Sequence, residues 1–130
     1  MIVLDASVVV ELVLGTEAGR AIADRISDPG LGLHVPHLLD VEVAQVVRRY
    51  VRAGQVTAER GRIAIDLLLD LDVARHPHDA LLPRVWELRD NLTAYDAAYV
   101  ALAEALDAPL LTRDGGLARA PGHTATIEMV

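Results

Sequence analysis

The chain alternates short apolar runs with longer amphipathic stretches. "IVL" at residues 2–4 runs straight into Asp5, and together residues 2–5 read as a buried strand that ends on a carboxylate. Residues 8–14 predict a short helix, and 17–27 an amphipathic one stopped by Asp28-Pro29-Gly30. "LGLHV" at 31–35 predicts a second strand ending at Pro36. A long helix follows over about 38–53, with Leu39, Val43, Val46 and Tyr50 on one stripe and Gly54 past its end. Thr57 caps the next helix, to about residue 70, with Glu59 in its first turn. "DVARH" at 72–76 predicts a third strand, 79–90 and 94–107 two helices, "PLLT" at 109–112 a fourth strand and "TATIEM" at 124–129 a fifth. There is no internal repeat, low-complexity tract or linker, so residues 1–130 are expected to form a single domain.

Strands separated by helices predict an α/β fold with a mostly parallel sheet covered on both faces. In such sheets, ligands lie beyond the carboxyl ends of the strands. Asp5 ends the first predicted strand and Asp114 lies two residues past the fourth. Two further carboxylates border buried stripes. Glu42 has Leu38, Leu39 and Val46 as its helical neighbours, and Asp96 has Tyr99, Val100 and Ala103. The stripe on that last helix is Leu92, Tyr95, Tyr99, Leu102 and Leu106.

Each carboxylate also has a purely structural account. Asp5 can cap the helix starting near residue 8. Asp96 fits a capping box with Thr93, and Asp114 fits a turn before Gly115-Gly116. Glu42 can pair with Arg48 or Arg49. What weighs against four separate structural roles is the charge balance. All 12 basic residues are arginine, so no lysine stands by to neutralise a crevice holding these acids. At ~5 Å and an effective dielectric of ~20, each pair of carboxylates repels by roughly 3 kcal/mol. A hydrated Mg²⁺ or Mn²⁺, which prefers hard oxygen ligands, would relieve that repulsion.

Composition narrows the chemistry further. Without lysine there is no P-loop, Schiff base or receiver-type phospho-aspartate site. With no cysteine there is no disulfide, thiolate chemistry or cysteine-type zinc site, which suits a reducing cytoplasm. The N-terminal apolar run, broken by Asp5 and Glu11, is a poor signal peptide and too short to span a bilayer, so no membrane role is expected. The net charge of −7 argues against a general nucleic-acid-binding surface, and 3% aromatics argue against an aromatic platform as the main source of base binding. His76-Pro77-His78 reads as a surface loop, His34 and His37 as structural, and Trp86 as packing. The first helix, "SVVVELVL", is apolar on nearly every side and is expected to need cover from a second chain.

In order and spacing, "MIVLDAS", "PHLLDVEVAQVVRR", "NLTAYDAAYVALAEAL" and "PLLTRD" resemble the PIN-domain ribonucleases, specifically the VapC-type toxins of bacterial toxin–antitoxin pairs. The resemblance spans essentially the whole chain. It implies a PIN-like three-layer α/β/α fold with a five-stranded sheet, and an endoribonuclease that uses Mg²⁺ or Mn²⁺ to activate a water. It places the acidic quartet on Asp5, Glu42, Asp96 and Asp114, with supporting hydroxyls at Ser7 and Thr112. Asp5 and Asp96 would be the principal metal ligands. Gly115-Gly116, where relatives more often carry side chains, loosens the loop holding Asp114. Arg48, Arg49 and Arg52 are candidates for RNA phosphate contacts, weighed against a solvated helix face. The implied partners are a VapB-type antitoxin and a second copy in a homodimer, with DNA bound only through the antitoxin. Two other readings remain beside this one: a catalytically silent PIN-like binding module, and an acidic-pocket phosphatase.

Overall fold

A computed structural model describes all residues, 1–130. The elements run β1 (Ile2–Leu4), α1 (Ala6–Leu14), α2 (Glu17–Arg25), β2 (Leu33–Pro36), α3 (Leu38–Arg52), α4 (Ala58–Asp70) and β3 (Ala74–His76). They continue with α5 (Leu82–Glu87), α6 (Ala94–Leu106), β4 (Leu110–Thr112), α7 (Gly115–Arg119) and β5 (Ile127–Met129). The five strands form one sheet in the order β3-β2-β1-β4-β5. Every pairing is parallel, so the sheet is wholly rather than mostly parallel.

β1 is the central strand, with Val3 opposite both His34 of β2 and Leu110 of β4. A strand covered on both faces is apolar throughout rather than alternating, as Ile2, Val3 and Leu4 are, and all three are buried. The strand order reverses between β1 and β4, which opens a crevice at their carboxyl ends. α6 lies against β1, β2 and β4, with α5 beside it, while α1 packs with α2, α3 and α4. This is the three-layer PIN-like arrangement. No helix is long and apolar enough to cross a membrane.

Most of the cover for α1 comes from its own chain, so its apolar character does not by itself demand a second one. Val8, Val9, Val10 and Val13 are buried, and Leu12 and Leu14 are partly buried against the same core. The close approach of α2 makes this possible. A Cβ on Gly19 would collide with the carbonyl of Glu11, so only glycine lets the two helices meet there. The chain reverses between them at Gly15, whose φ of 63° is left-handed.

Several predicted elements are shorter or added. The helix expected over 79–90 is only Leu82–Glu87: the His78 carbonyl accepts from both Leu81 N and Leu82 N in a turn, and Pro83 fits only the first turn of a helix. α7 was not expected, because Gly115-Gly116 reads as a turn; the Asp114 side chain caps it. Tyr95 lies outside the buried stripe of α6, since only Ala97–Ala103 runs through the core and the first turn stands clear of it. Trp86 is exposed, with the Arg89 guanidinium 4.8 Å from its ring centroid, and does not pack inward.

His76-Pro77-His78 is a structural element rather than a free surface loop. His76 ends β3, and its Nε2 lies 2.9 Å from Nδ1 of His34 in β2. His78 Nε2 accepts from Leu38 N at 2.9 Å, capping α3 from a distant part of the chain where His37 makes no side-chain cap. Arg75 donates to both carboxylate oxygens of Asp40 and to the Leu68 carbonyl. Residues 75–78 thus hold the first turn of α3, and with it Glu42.

Candidate active site

Asp5 follows β1 directly and is buried, at 6% exposure. It occupies the N-cap position of α1 but makes no side-chain cap, so capping does not explain it. Its Oδ2 instead accepts from two hydroxyls, Ser7 Oγ at 2.6 Å and Thr112 Oγ1 at 2.8 Å. Each hydroxyl has one proton to give, so the 3.4 Å approach of Ser7 Oγ to Thr112 Oγ1 is left as a contact. Both accept in turn from backbone: Arg113 N reaches Ser7 Oγ and Asp114 N reaches Thr112 Oγ1, each at 3.0 Å. This network fixes one oxygen of Asp5 and leaves Oδ1 without a hydrogen-bond partner.

Glu42 comes from the second turn of α3 and Asp96 from the first turn of α6. Glu42 pairs with neither Arg48 nor Arg49; its Oε1 accepts from the Tyr99 hydroxyl at 2.7 Å. Burial pushes the Glu42 carboxyl above its ordinary range, the Tyr99 bond opposes this, and the charges of Asp5 and Asp96 add to the rise. Asp96 is likewise pushed up, first by burial and then by the charges of Asp5 and Asp114. These mutual effects bring all four acids into one electrostatic site. Thr93 does cap α6, accepting from Asp96 N at 3.2 Å, but the Asp96 carboxylate has no hydrogen-bond or ion-pair partner. Cap and free carboxylate therefore coexist at one position.

Asp114 serves both accounts as well. Its Oδ1 accepts from Gly116 N and Leu117 N, capping α7, and its side chain is exposed. Tyr99 is a site residue missed as such in the sequence, where it reads only as part of the apolar stripe. The available signal is its place three residues after Asp96, on the same helical face. A fully buried tyrosine also requires a partner for its hydroxyl. Burial and the Glu42 carboxylate raise its pKa far above the usual phenol value, so it remains a donor.

The arginine trio divides. Arg49 shares a cleft with Glu42, whereas Arg48 and Arg52 line a separate groove between α3 and α4 with Arg62. None of the five ion pairs in the chain involves Asp5, Glu42, Asp96 or Asp114. The site therefore offers hard oxygen donors that no arginine neutralises through an ion pair. No three of its side chains are drawn together at ligating distance. Hard carboxylate oxygens are the donor type that Mg²⁺ prefers, and Mg²⁺ takes only one or two of them directly while keeping several waters.

The sequence pattern of the PIN domain matches residues 2–123. The chain is 45% identical to Ribonuclease VapC12 of Mycobacterium tuberculosis over 130 residues, covering 100% of this chain and 99% of that protein. It is 43% identical to Ribonuclease VapC1 of the same species over 129 residues, covering 98% and 96%. Among solved structures, VapBC2 of Rickettsia felis, bound to a DNA fragment from its promoter, superposes with a TM-score of 0.73 at 16% identity, covering 100% and 99% of the two chains. VapC20 of Mycobacterium tuberculosis, a toxin that cleaves the sarcin–ricin loop, gives 0.67 at 16% identity, covering 93% and 100%. At that identity these two structures speak for the fold, while the relatives at 43–45% speak for the family. On both grounds, the chain belongs to the PIN-domain family, in its VapC branch.

Proposed function

We propose that this protein is a divalent-metal-dependent endoribonuclease and the toxin of a toxin–antitoxin pair. The observation that carries the reading is the group of four acids, none paired with an arginine, beyond the carboxyl ends of β1 and β4, in a chain 45% identical to a protein named a ribonuclease. A bound Mg²⁺ or Mn²⁺ would supply an activated water and charge stabilisation at the scissile phosphate. Asp5 and Asp96 would be the principal residues to hold the ion, with Glu42 and Asp114 completing the acidic set around it. Ser7 and Thr112 orient Asp5 by fixing its Oδ2. Tyr99 holds Glu42 Oε1, which leaves Oε2 to accept a proton from the attacking water.

An antitoxin of the VapB type is the natural partner, as solved VapBC and FitAB structures are neighbours of this fold. An antitoxin arginine or lysine entering the acidic site would satisfy the same carboxylates and silence it. With a net charge of −7, this chain leaves DNA binding to the antitoxin. Because α1 is mostly covered internally, a homodimer would instead use exposed apolar residues such as Leu82 and Trp86 on α5 or Ile63 and Leu67 on α4. The place of action is the cytoplasm.

The test is cleavage of RNA by the purified protein with Mn²⁺ or Mg²⁺, with EDTA, and with the antitoxin added. Cleavage should require the metal and stop with the antitoxin. RNA left intact at every metal concentration would favour a silent binding module.

A further inference from the structure

Glu42, Gln45, Val46 and Arg49 recur at three- and four-residue spacing, which places them on one face of α3. That face forms a wall of an open cleft of about 360 Å³, to which α6 contributes Tyr95 and the start of α3 contributes Val41. Tyr95 is 66% exposed and Val41 74% exposed. The side chains of Gln45, Arg49 and Tyr95 make no hydrogen bond or ion pair within the chain. An aromatic ring, an amide and a guanidinium, all without partners, thus stand beside a carboxylate of the acidic site. At 1.5 Å per residue, Arg49 lies about 10 Å further along the helix than Glu42.

We propose that this cleft binds one unstacked nucleotide of single-stranded RNA next to the scissile phosphate. Its base lies on the Tyr95 ring, its edge meets the Gln45 amide, and a phosphate further along the strand meets Arg49. This rests on the ribonuclease reading above and adds where one base is recognised. Chemistry favours RNA over other occupants. A second copy of the chain would bring another charge of −7 towards the acidic site. An apolar helix would bury Gln45 and Arg49 without partners. A nucleotide satisfies all three side chains, because bases stack on aromatic rings, an amide both donates and accepts, and phosphate pairs with guanidinium. Scarce aromatics exclude an extended stacking platform, but one exposed ring at the mouth of the site suffices for one base.

The test uses short single-stranded RNA substrates. Tyr95→Ala should raise KM by roughly 5- to 150-fold with kcat little changed, whereas Tyr95→Phe keeps the wild-type KM. Gln45→Ala should flatten the base preference at one position next to the cut. Arg49→Gln should weaken binding and reduce the salt dependence by a slope of about 0.7. Circular dichroism checks the fold of each variant, and light scattering its oligomeric state. A wild-type KM in Tyr95→Ala, an unchanged base preference in Gln45→Ala, or a dimer that Tyr95→Ala turns into monomers would overturn the proposal. If the wild-type protein cleaves nothing, the ribonuclease reading falls, and the cleft is judged by fluorescence anisotropy of a labelled RNA oligomer in EDTA. Binding weakened by Tyr95→Ala would then uphold the nucleotide site, and no binding would overturn it.

Discussion

The Tyr99 hydroxyl donates to Oε1 of Glu42 at 2.7 Å, a bond between α6 and α3 that connects residues 57 apart in sequence. It opposes the rise that burial imposes on the Glu42 carboxyl. Tyr99→Phe removes the bond and keeps the ring. Stability should fall by about 1.5–3 kcal/mol in urea unfolding, the usual worth of a hydrogen bond to a charged group. The Glu42 pKa then rises further, so the acid limb of the pH–rate profile moves to higher pH. An acid limb that stays in place or moves down would show that Glu42 does not set it.

Asp96→Asn separates cap from ligand. The cap uses the Asp96 backbone N–H, which asparagine keeps, while the charge repelled by Asp5 and Asp114 disappears. RNA cleavage should drop to background and the metal-free melting temperature should hold or rise. Normal cleavage by a folded variant would reduce Asp96 to a helix-start residue.

Ser7→Ala and Thr112→Val each remove one of the two hydroxyls that grip Asp5 Oδ2. Groups that orient a metal ligand are commonly worth about 10–100-fold in affinity or activity. We expect each variant to weaken Mn²⁺ binding within that range in calorimetric titration, and the pair together to cost more than either alone. Unaltered binding in the double variant would leave these hydroxyls with a purely structural role.

Stability and pH are linked through the raised carboxyls. Glu42 and Asp96 lie above their ordinary values of 4.5 and 3.8 in the folded protein. Between the ordinary and the raised values, the native state binds more protons than the unfolded one. Metal-free stability therefore falls as pH rises through that window. Glu104, held below its ordinary value by Arg84, contributes the opposite trend, so the clean comparison is with Glu42→Gln. That variant should lose part of the fall. Above the window Mn²⁺ should restore stability, by about 2.7 kcal/mol at a hundred times its Kd. Thermal unfolding across pH, in EDTA and in Mn²⁺, measures all of this, and identical pH curves for the two proteins would contradict it.

His78→Ala deprives Leu38 N of its acceptor, and loss of a helix cap costs about 1 kcal/mol. His78→Gln, whose amide oxygen can accept, should recover part of it. Equal losses for alanine and glutamine in urea unfolding would point to packing of the ring instead.

What was legible in the sequence was whatever depends on short spacing. Strand, helix and cap signals lie within a few residues of one another, so Thr57 and Thr93 read directly as caps and Asp5 as the end of a strand. Asp5 and Asp114 stood out because parallel strands send their carboxyl ends to one side, Glu42 and Asp96 because they border buried helix stripes, and the family resemblance joined the four into one quartet. The unread parts depend on pairs far apart in the chain. Tyr99 and Glu42 meet only once α6 lies beside α3, and His78 and Leu38 only once β3 pairs with β2. α1 looked too apolar for one domain because nothing local announces that Gly19 lets α2 close over it. Asp114 and Asp96 looked like a choice between cap and ligand. A carboxylate has two oxygens and a residue also has a backbone N–H, so one position can do both.

β1 is the first strand made, yet one of its two neighbours, β4, is among the last. On the ribosome, the Asp5 carboxylate waits for Thr112 to arrive before its second hydroxyl partner exists, and Asp114 follows two residues later. A nascent chain carrying Asp5, Glu42 and Asp96 but not β4 has most of the ingredients of the site and no closed edge on which to assemble them. The network that grips Asp5 is therefore among the last parts of the fold to close, because it needs the strand that carries Thr112.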